Sequence, residues 1–140
     1  MNCWVVDTNV VCAGLITGNQ QSPTAQIVDL MLSGKASHVV SLLLLNEYER
    51  VLSRPALARL HRLTASDVEA LVANLARHAV LMQAPSSKMA APDPGDQHLW
   101  DLLVAYRTLR LVTGDKRFLD DGPMTGRVLT PAQALTELQA

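Results

Sequence analysis

The sequence predicts an α/β domain with a central parallel sheet covered by helices on both faces. Short hydrophobic runs alternate with helical segments from one end of the chain to the other, the pattern of a parallel sheet with crossover helices. The runs are short and apolar, as strands buried on both faces are. At 140 residues the chain is long enough for one compact domain, residues 1–140, and too short for two comfortable ones.

The elements follow in order. "CWVV" reads as a first strand, with "VVCAG" beginning the helix that covers it. "SPTAQIVDLMLSG" carries Ser22 as N-cap, Pro23 at the first helical position and Gly34 as terminator. "SHVV" is a second strand, leading through Ser41 into "LLLLNEYERVLSRP", whose length favours a helix ended by Pro55. "LTASDVEALVANLARHAV" has Thr64 with Asp67 three residues on, a capping-box start, then apolar residues at helical spacing. A strand follows around "AVLMQA". "APSSKMAAPDPGD" is a loop leading to the amphipathic helix "DQHLWDLLVAYR". "LRLVTGD" is a short buried strand leaving through Gly114, and "RVLTPAQALTELQ" a strand then a helix with Thr130 as N-cap and Pro131 first.

Composition excludes several classes. With 49% hydrophobic and 18% charged residues, disorder is not expected. No apolar run approaches the roughly 20 residues of a membrane helix. Asp7 and Asn9 interrupt any signal-like start, and Cys3 and Cys12 read as small core residues, so cytoplasm is the expected compartment. A net charge of −1 argues against a protein that binds nucleic acid simply by being basic, though not against a local basic patch.

The chemistry lies in the acids. In an open α/β sheet, ligands bind beyond the carboxyl ends of the strands, where strand order reverses. Asp7 follows "WVV" and Asp115 follows "LVTG"; Asp96 stands at the start of a helix, and Glu47 within the helix after the second strand. Singly, each has an ordinary explanation. Asp7 reads as a helix cap, Asp96 as an acid favoured by the helix dipole, and Asp115 as a turn residue. Glu47 alone reads as a solvated helix residue, like Glu49 and Asp101. Together they do not: two carboxylates ~5 Å apart repel by roughly 3 kcal/mol at an effective dielectric near 20. Four would strain a domain stable by only ~5–15 kcal/mol unless protons or cations offset them. A hard divalent ion with oxygen ligands is the natural solution. No cysteine–histidine spacing suggests zinc, and there is neither a Gly-rich phosphate loop nor a nucleophile elbow.

"VVDTNV", "NEYERVLSRP", "DPGDQHLWDLL" and "LVTGDKRFL" together resemble the PIN-domain family, in particular the toxins of toxin–antitoxin systems. The resemblance spans nearly the whole chain, through "VLTPAQAL". It implies a three-layer α/β/α sandwich with a central parallel sheet and an acidic pocket holding one or two Mg²⁺ or Mn²⁺ ions. It implies metal-dependent cleavage of RNA phosphodiester bonds. By position, Asp7, Glu47, Asp96 and Asp115 match the family's catalytic metal ligands, Glu47 lying in its "E-x-x-x-x-L" helix with Leu52. Asn9 and Thr113 match the polar supports, and Asp93 is a candidate accessory acid. Two departures stand out. Gly95 replaces an acid in what is often Asp-Pro-Asp-Asp, and Gln97 and His98 replace commoner choices. His98 reads as a surface helix residue without a role, with contact to RNA or phosphate as the weaker alternative.

On this reading the protein is an endoribonuclease. Lys116, Arg117, Arg50 and Arg54, with Arg59 and Arg62, are the candidate RNA-binding cations, or else a solvated face. The alternative is a catalytically idle module acting through a protein partner, which the acids argue against, since an idle pocket gains nothing from their repulsion. Cleavage of DNA, as by flap nucleases, ranks last because the chain lacks their extra helices. Expected partners are the RNA, an antitoxin covering the pocket and a second copy of the chain, the last suggested by the exposed-looking Leu57, Leu60 and Leu63.

Overall fold

The computed structural model describes residues 3–119 and 124–139. Among them, β1 (Cys3–Val6), β2 (His38–Val40), β3 (Ala79–Leu81), β4 (Leu109–Val112) and β5 (Val128–Leu129) form one sheet, ordered β3-β2-β1-β4-β5. Every pairing is parallel. The central strand explains why. Trp4, Val5 and Val6 are all buried, and successive strand residues point to opposite faces, so both faces must be covered. At the edge, Val80 and Leu81 of β3 lie about half exposed, as a strand with only one neighbour allows. The layered α/β sandwich expected from the sequence is the one found.

The helices are α1 (Thr8–Ile16), α2 (Pro23–Ser33), α3 (Leu42–Leu52), α4 (Pro55–His61), α5 (Ala65–Arg77), α6 (Gln97–Ala105), α7 (Lys116–Leu119) and α8 (Pro131–Gln139). Their starts follow local chemistry. Ser22 Oγ accepts from the Ala25 amide at 3.3 Å, and Ser41 Oγ from the Leu44 amide at 3.1 Å. Such caps contribute typically ~1 kcal/mol each. Thr64 and Asp67 form the expected capping box, and Thr130 forms a second with Gln133, whose amide and side chain both pair with it.

One helical expectation needs correcting. Pro55 does not simply end a helix: α3 stops at Leu52, and Pro55, at the first position of α4, begins the next. There its missing N–H costs nothing. After Asp115 the chain forms the single turn α7. α7 is held by the Phe118 ring, whose centroid lies 5.0 Å from that of Trp100 on α6, both buried.

Packing of α1 on α2 depends on Gly14. A Cβ there would lie 2.6 Å from the Thr24 carbonyl oxygen and 2.7 Å from Val28 Cγ2. α3 brings Leu44, Tyr48 and Leu52, all fully buried at i, i+4 and i+8, against the core. Of the leucines expected to be exposed, only Leu60 is; Leu57 and Leu63 pack against the core cluster. Cys12 is buried and Cys3 half-buried, both free thiols. No helix among the described residues is long and apolar enough to cross a membrane.

Candidate active site

The chain runs from β1 to β2 and β3 on one side of the sheet, then crosses to β4 and β5 on the other. The reversal therefore falls between β1 and β4, and Asp7 leaves one strand beside Thr113, Gly114 and Asp115 leaving the other.

Asp7 occupies the N-cap position of α1, yet its side chain makes no capping bond. Thr113 Oγ1 donates to Asp7 Oδ2 at 2.7 Å instead. The backbone around Asp7 is fixed on both sides. Its amide donates to the Val112 carbonyl at 2.9 Å, and the buried Tyr48 hydroxyl donates to the Val6 carbonyl. Thr113 Oγ1 also accepts from the Asp115 amide at 3.1 Å and from Asn9 Nδ2 at 3.5 Å. Asn9 Oδ1 accepts from the Gly114 amide at 3.4 Å, closing the link between the two strand ends.

Glu47 comes from α3, its side chain 17% exposed rather than solvated. Thr8 Oγ1 donates to it, and His98 Nε2 stands 3.8 Å away. Asp96 ends a 3₁₀ turn (Pro94–Asp96) just before α6 and, like Asp7, caps nothing. Asp7, Glu47, Asp96 and Asp115 line one cavity of about 540 Å³, together with Arg50 and Arg54. Size does not single it out, for a cavity of the same volume lies between α2 and α8; the acids do.

These four carboxylates are electrostatically unequal. Burial, then Glu47 and Asp115, push the Asp7 carboxyl above its usual range against the Thr113 hydrogen bond. Burial and then the charges of Asp7, Glu47 and Asp93 push Asp96 up to about 6. Burial would also raise Glu47, but the neighbouring His98, the Thr8 hydroxyl hydrogen bond and nearby Arg50 hold it low. The Arg117 guanidinium keeps Asp115 low.

The remaining expected site residues separate. Arg117 pairs with Asp115 at 2.7 Å and with Asp93 at 3.5 Å, so two acids already neutralise it. Asp93 accepts from the Gly95 amide at 2.8 Å and caps the 3₁₀ turn, outside the cavity lining. Lys116 is exposed, and neither it nor Arg59 and Arg62 lines the cavity. His98 is not a surface residue; its side chain is 15% exposed and faces Glu47. Asp101 and Gln97 are tied to the preceding loop. Asp101 accepts from the Ser87 amide at 3.0 Å, and Gln97 bonds Met89, Ala91 and Asp101.

Sequence reasoning missed Thr8 and Tyr48, and placed His98 on the surface rather than beside Glu47. Only Tyr48 left a readable signal: it stands in the apolar row of α3, and a hydroxyl buried there must find a partner. Thr8 and His98 meet Glu47 only through tertiary packing.

Among the described residues no group of three or more His, Cys, Asp or Glu side chains is drawn together as a ready metal cage. The donor set still fits a hard divalent ion. All four are carboxylates, and Asp7 and Asp96, raised first by burial and then by neighbouring acids, are groups whose charge a cation would relieve.

Fold and cavity define an α/β domain with an acidic site at the switch point of a parallel sheet. The chain belongs to the PIN-domain family, whose model matches residues 4–117, from β1 into α7. No curated protein and no solved structure matches the chain. PIN domains are commonly nucleases and typically use divalent metal ions.

Proposed function

We propose that this PIN domain is a metal-dependent endoribonuclease and the toxin of a toxin–antitoxin pair, working in the cytoplasm. One observation carries the enzymatic reading: four carboxylates from four separate segments line one cavity at the switch point, two with affinities for protons raised by burial and mutual repulsion. Asp7, Glu47, Asp96 and Asp115 would hold one or two Mg²⁺ or Mn²⁺ ions. When bound, such an ion supplies a water activated for in-line attack at phosphorus and neutralises charge on the phosphate.

The chain's own residues do the rest. Thr113 and Thr8 orient the Asp7 and Glu47 carboxylates through hydroxyl donors, and Asn9 steadies Thr113. Arg50 and Arg54, at the cavity wall, attract the RNA backbone; with a net charge of −1 this attraction is modest and weakens with salt. An antitoxin would silence the site by covering the cavity, and a second copy of the chain would complete the assembly.

The test is cleavage of single-stranded RNA by wild type and Asp7→Asn, with Mg²⁺, with Mn²⁺ and with chelator. Metal-dependent cutting that Asp7→Asn loses supports the assignment. Cutting by Asp7→Asn at the wild-type rate, in a clean preparation, overturns it.

A further inference from the structure

A second, smaller groove opens beside the acidic cavity. Its volume is about 220 Å³, and Leu43, Asn46, Gly95 and His98 line it along with Glu47 and Arg50, which also line the acidic cavity. A polymer seated with one phosphate among the acids would pass Glu47 and Arg50 into this groove. The groove is smaller than the roughly 300 Å³ at which small-molecule pockets begin, so it suits one unit of a chain rather than a whole ligand.

Its walls have the chemistry of a base reader. Leu43 presents an apolar surface 64% exposed to water. Asn46 is exposed and carries both a donor and an acceptor on one amide. His98 lines the same groove with its ring, while its Nδ1 is buried from solvent and has no hydrogen-bond partner among the described residues. Sequence-specific RNA recognition uses these elements: a flat base against a ring or apolar face, and polar groups at its edge. Charge agrees. Among the described residues Glu47 is the one acid lining the groove, already engaged by Thr8, and Arg50 offsets it. Gly95 leaves one wall without a side chain where an Asp would have added a further negative charge. Two of the three departing residues, Gly95 and His98, thus meet in one place.

We infer that the groove between Leu43, Asn46, Gly95 and His98 binds the base of one nucleotide of single-stranded RNA, next to the phosphate that the acidic cavity receives. The inference rests on the ribonuclease reading and adds a specificity subsite to it. Leu43 and Asn46 provide the base contact, and Arg50 the flanking phosphate.

The experiment uses fluorescently labelled short single-stranded RNAs bound to the full chain in Ca²⁺, a hard oxygen-liganded ion that offsets the four acids and takes the place of Mg²⁺ or Mn²⁺ during the short binding step, followed by anisotropy. In a matched series each position in turn is abasic. One abasic position should weaken wild-type binding by ~10-fold, the scale of a lost base stack. Leu43→Ala and Asn46→Ala, both exposed and so neutral to folding, should weaken binding to intact RNA and lose sensitivity to that position. Gly95→Asp should weaken binding several-fold where Gly95→Asn does not; a side chain there meets only the Asp93 carboxylate tip, at 3.2 Å. Leu43→Ala and Asn46→Ala that keep the full abasic penalty overturn the subsite, as they would if the groove takes a peptide instead. Parallel cleavage assays in Mn²⁺ separate the two failures. A wild type that cuts RNA while the variants keep that penalty overturns the groove alone, and one that neither binds nor cuts overturns both.

Discussion

Thr113 and Asp7 stand 106 positions apart and meet in a 2.7 Å hydrogen bond between the ends of β4 and β1. The bond holds a buried carboxylate that burial would otherwise drive towards protonation. Thr113→Val keeps the shape and removes the donor, so it should lower activity or metal affinity ~10–100-fold, the usual effect of losing a group that orients a ligand. Thr113→Ser should restore most of it. Paired cleavage and Mn²⁺-binding assays with a thermal melt check this; a Val variant of full activity would show that Asp7 needs no such support.

The Tyr48 hydroxyl is the partner of the Val6 carbonyl, deep beneath Asp7. Tyr48→Phe leaves that carbonyl buried without a donor and should destabilise by roughly 1–3 kcal/mol. Urea denaturation measures it, with an unchanged m-value marking a loss confined to the native state.

Gly14→Ala tests the closest helix contact. The added methyl would press on the Thr24 carbonyl and Val28, and the two helices must part. The expected loss is about 1–3 kcal/mol, even though alanine favours helix, so overpacking outweighs propensity. A rise in the melting temperature would mean that α1 and α2 separate at little cost.

Metal-free, the acids should oppose folding at neutral pH. Because the Asp96 pKa is raised from 3.8 to about 6, its protonated form stabilises the fold below pH 4, and that stability is lost as pH rises through 6. In chelator, Asp96→Asn should therefore melt higher than wild type at pH 8 and alike at pH 4. Mn²⁺ should reverse the order, stabilising wild type by about 2.7 kcal/mol at 100 times its dissociation constant and the variant by less. A melt insensitive to Mn²⁺ in both proteins would favour an idle pocket.

His38 sets an acid limit of a different kind. It is fully buried on β2 with neither ring nitrogen within hydrogen-bond distance of a partner among the described residues, and burial, then His78, outweigh the Leu75 backbone and lower its pKa from 6.5 to about 4. The fold must hold the neutral ring, so stability present above pH 6.5 falls away towards pH 4, by on the order of 3 kcal/mol. His38→Phe should flatten the stability–pH curve between those values, as chemical denaturation across that range would record.

The strands, the helix starts at Ser22, Ser41, Thr64 and Thr130, and the parallel sheet were legible in the sequence, because burial pattern and capping chemistry are local. So was the set of four acids, since a parallel sheet delivers strand ends to one rim. The role of Asp7 was not local. As a lone residue it reads as a cap, and it sits at the cap position, but its carboxylate turns to a threonine from another strand. Nor could sequence spacing show that Arg117 is consumed by Asp93 and Asp115, that His98 faces Glu47, or that Pro55 opens a helix. Those outcomes depend on which side chains meet across the fold, and long-range contact alone decides whether a charge is paired, buried or free. By itself the sequence determined the architecture and the four acids that share one cavity; the tertiary structure decided which of them are buried, which cations remain available and where a groove opens beside them.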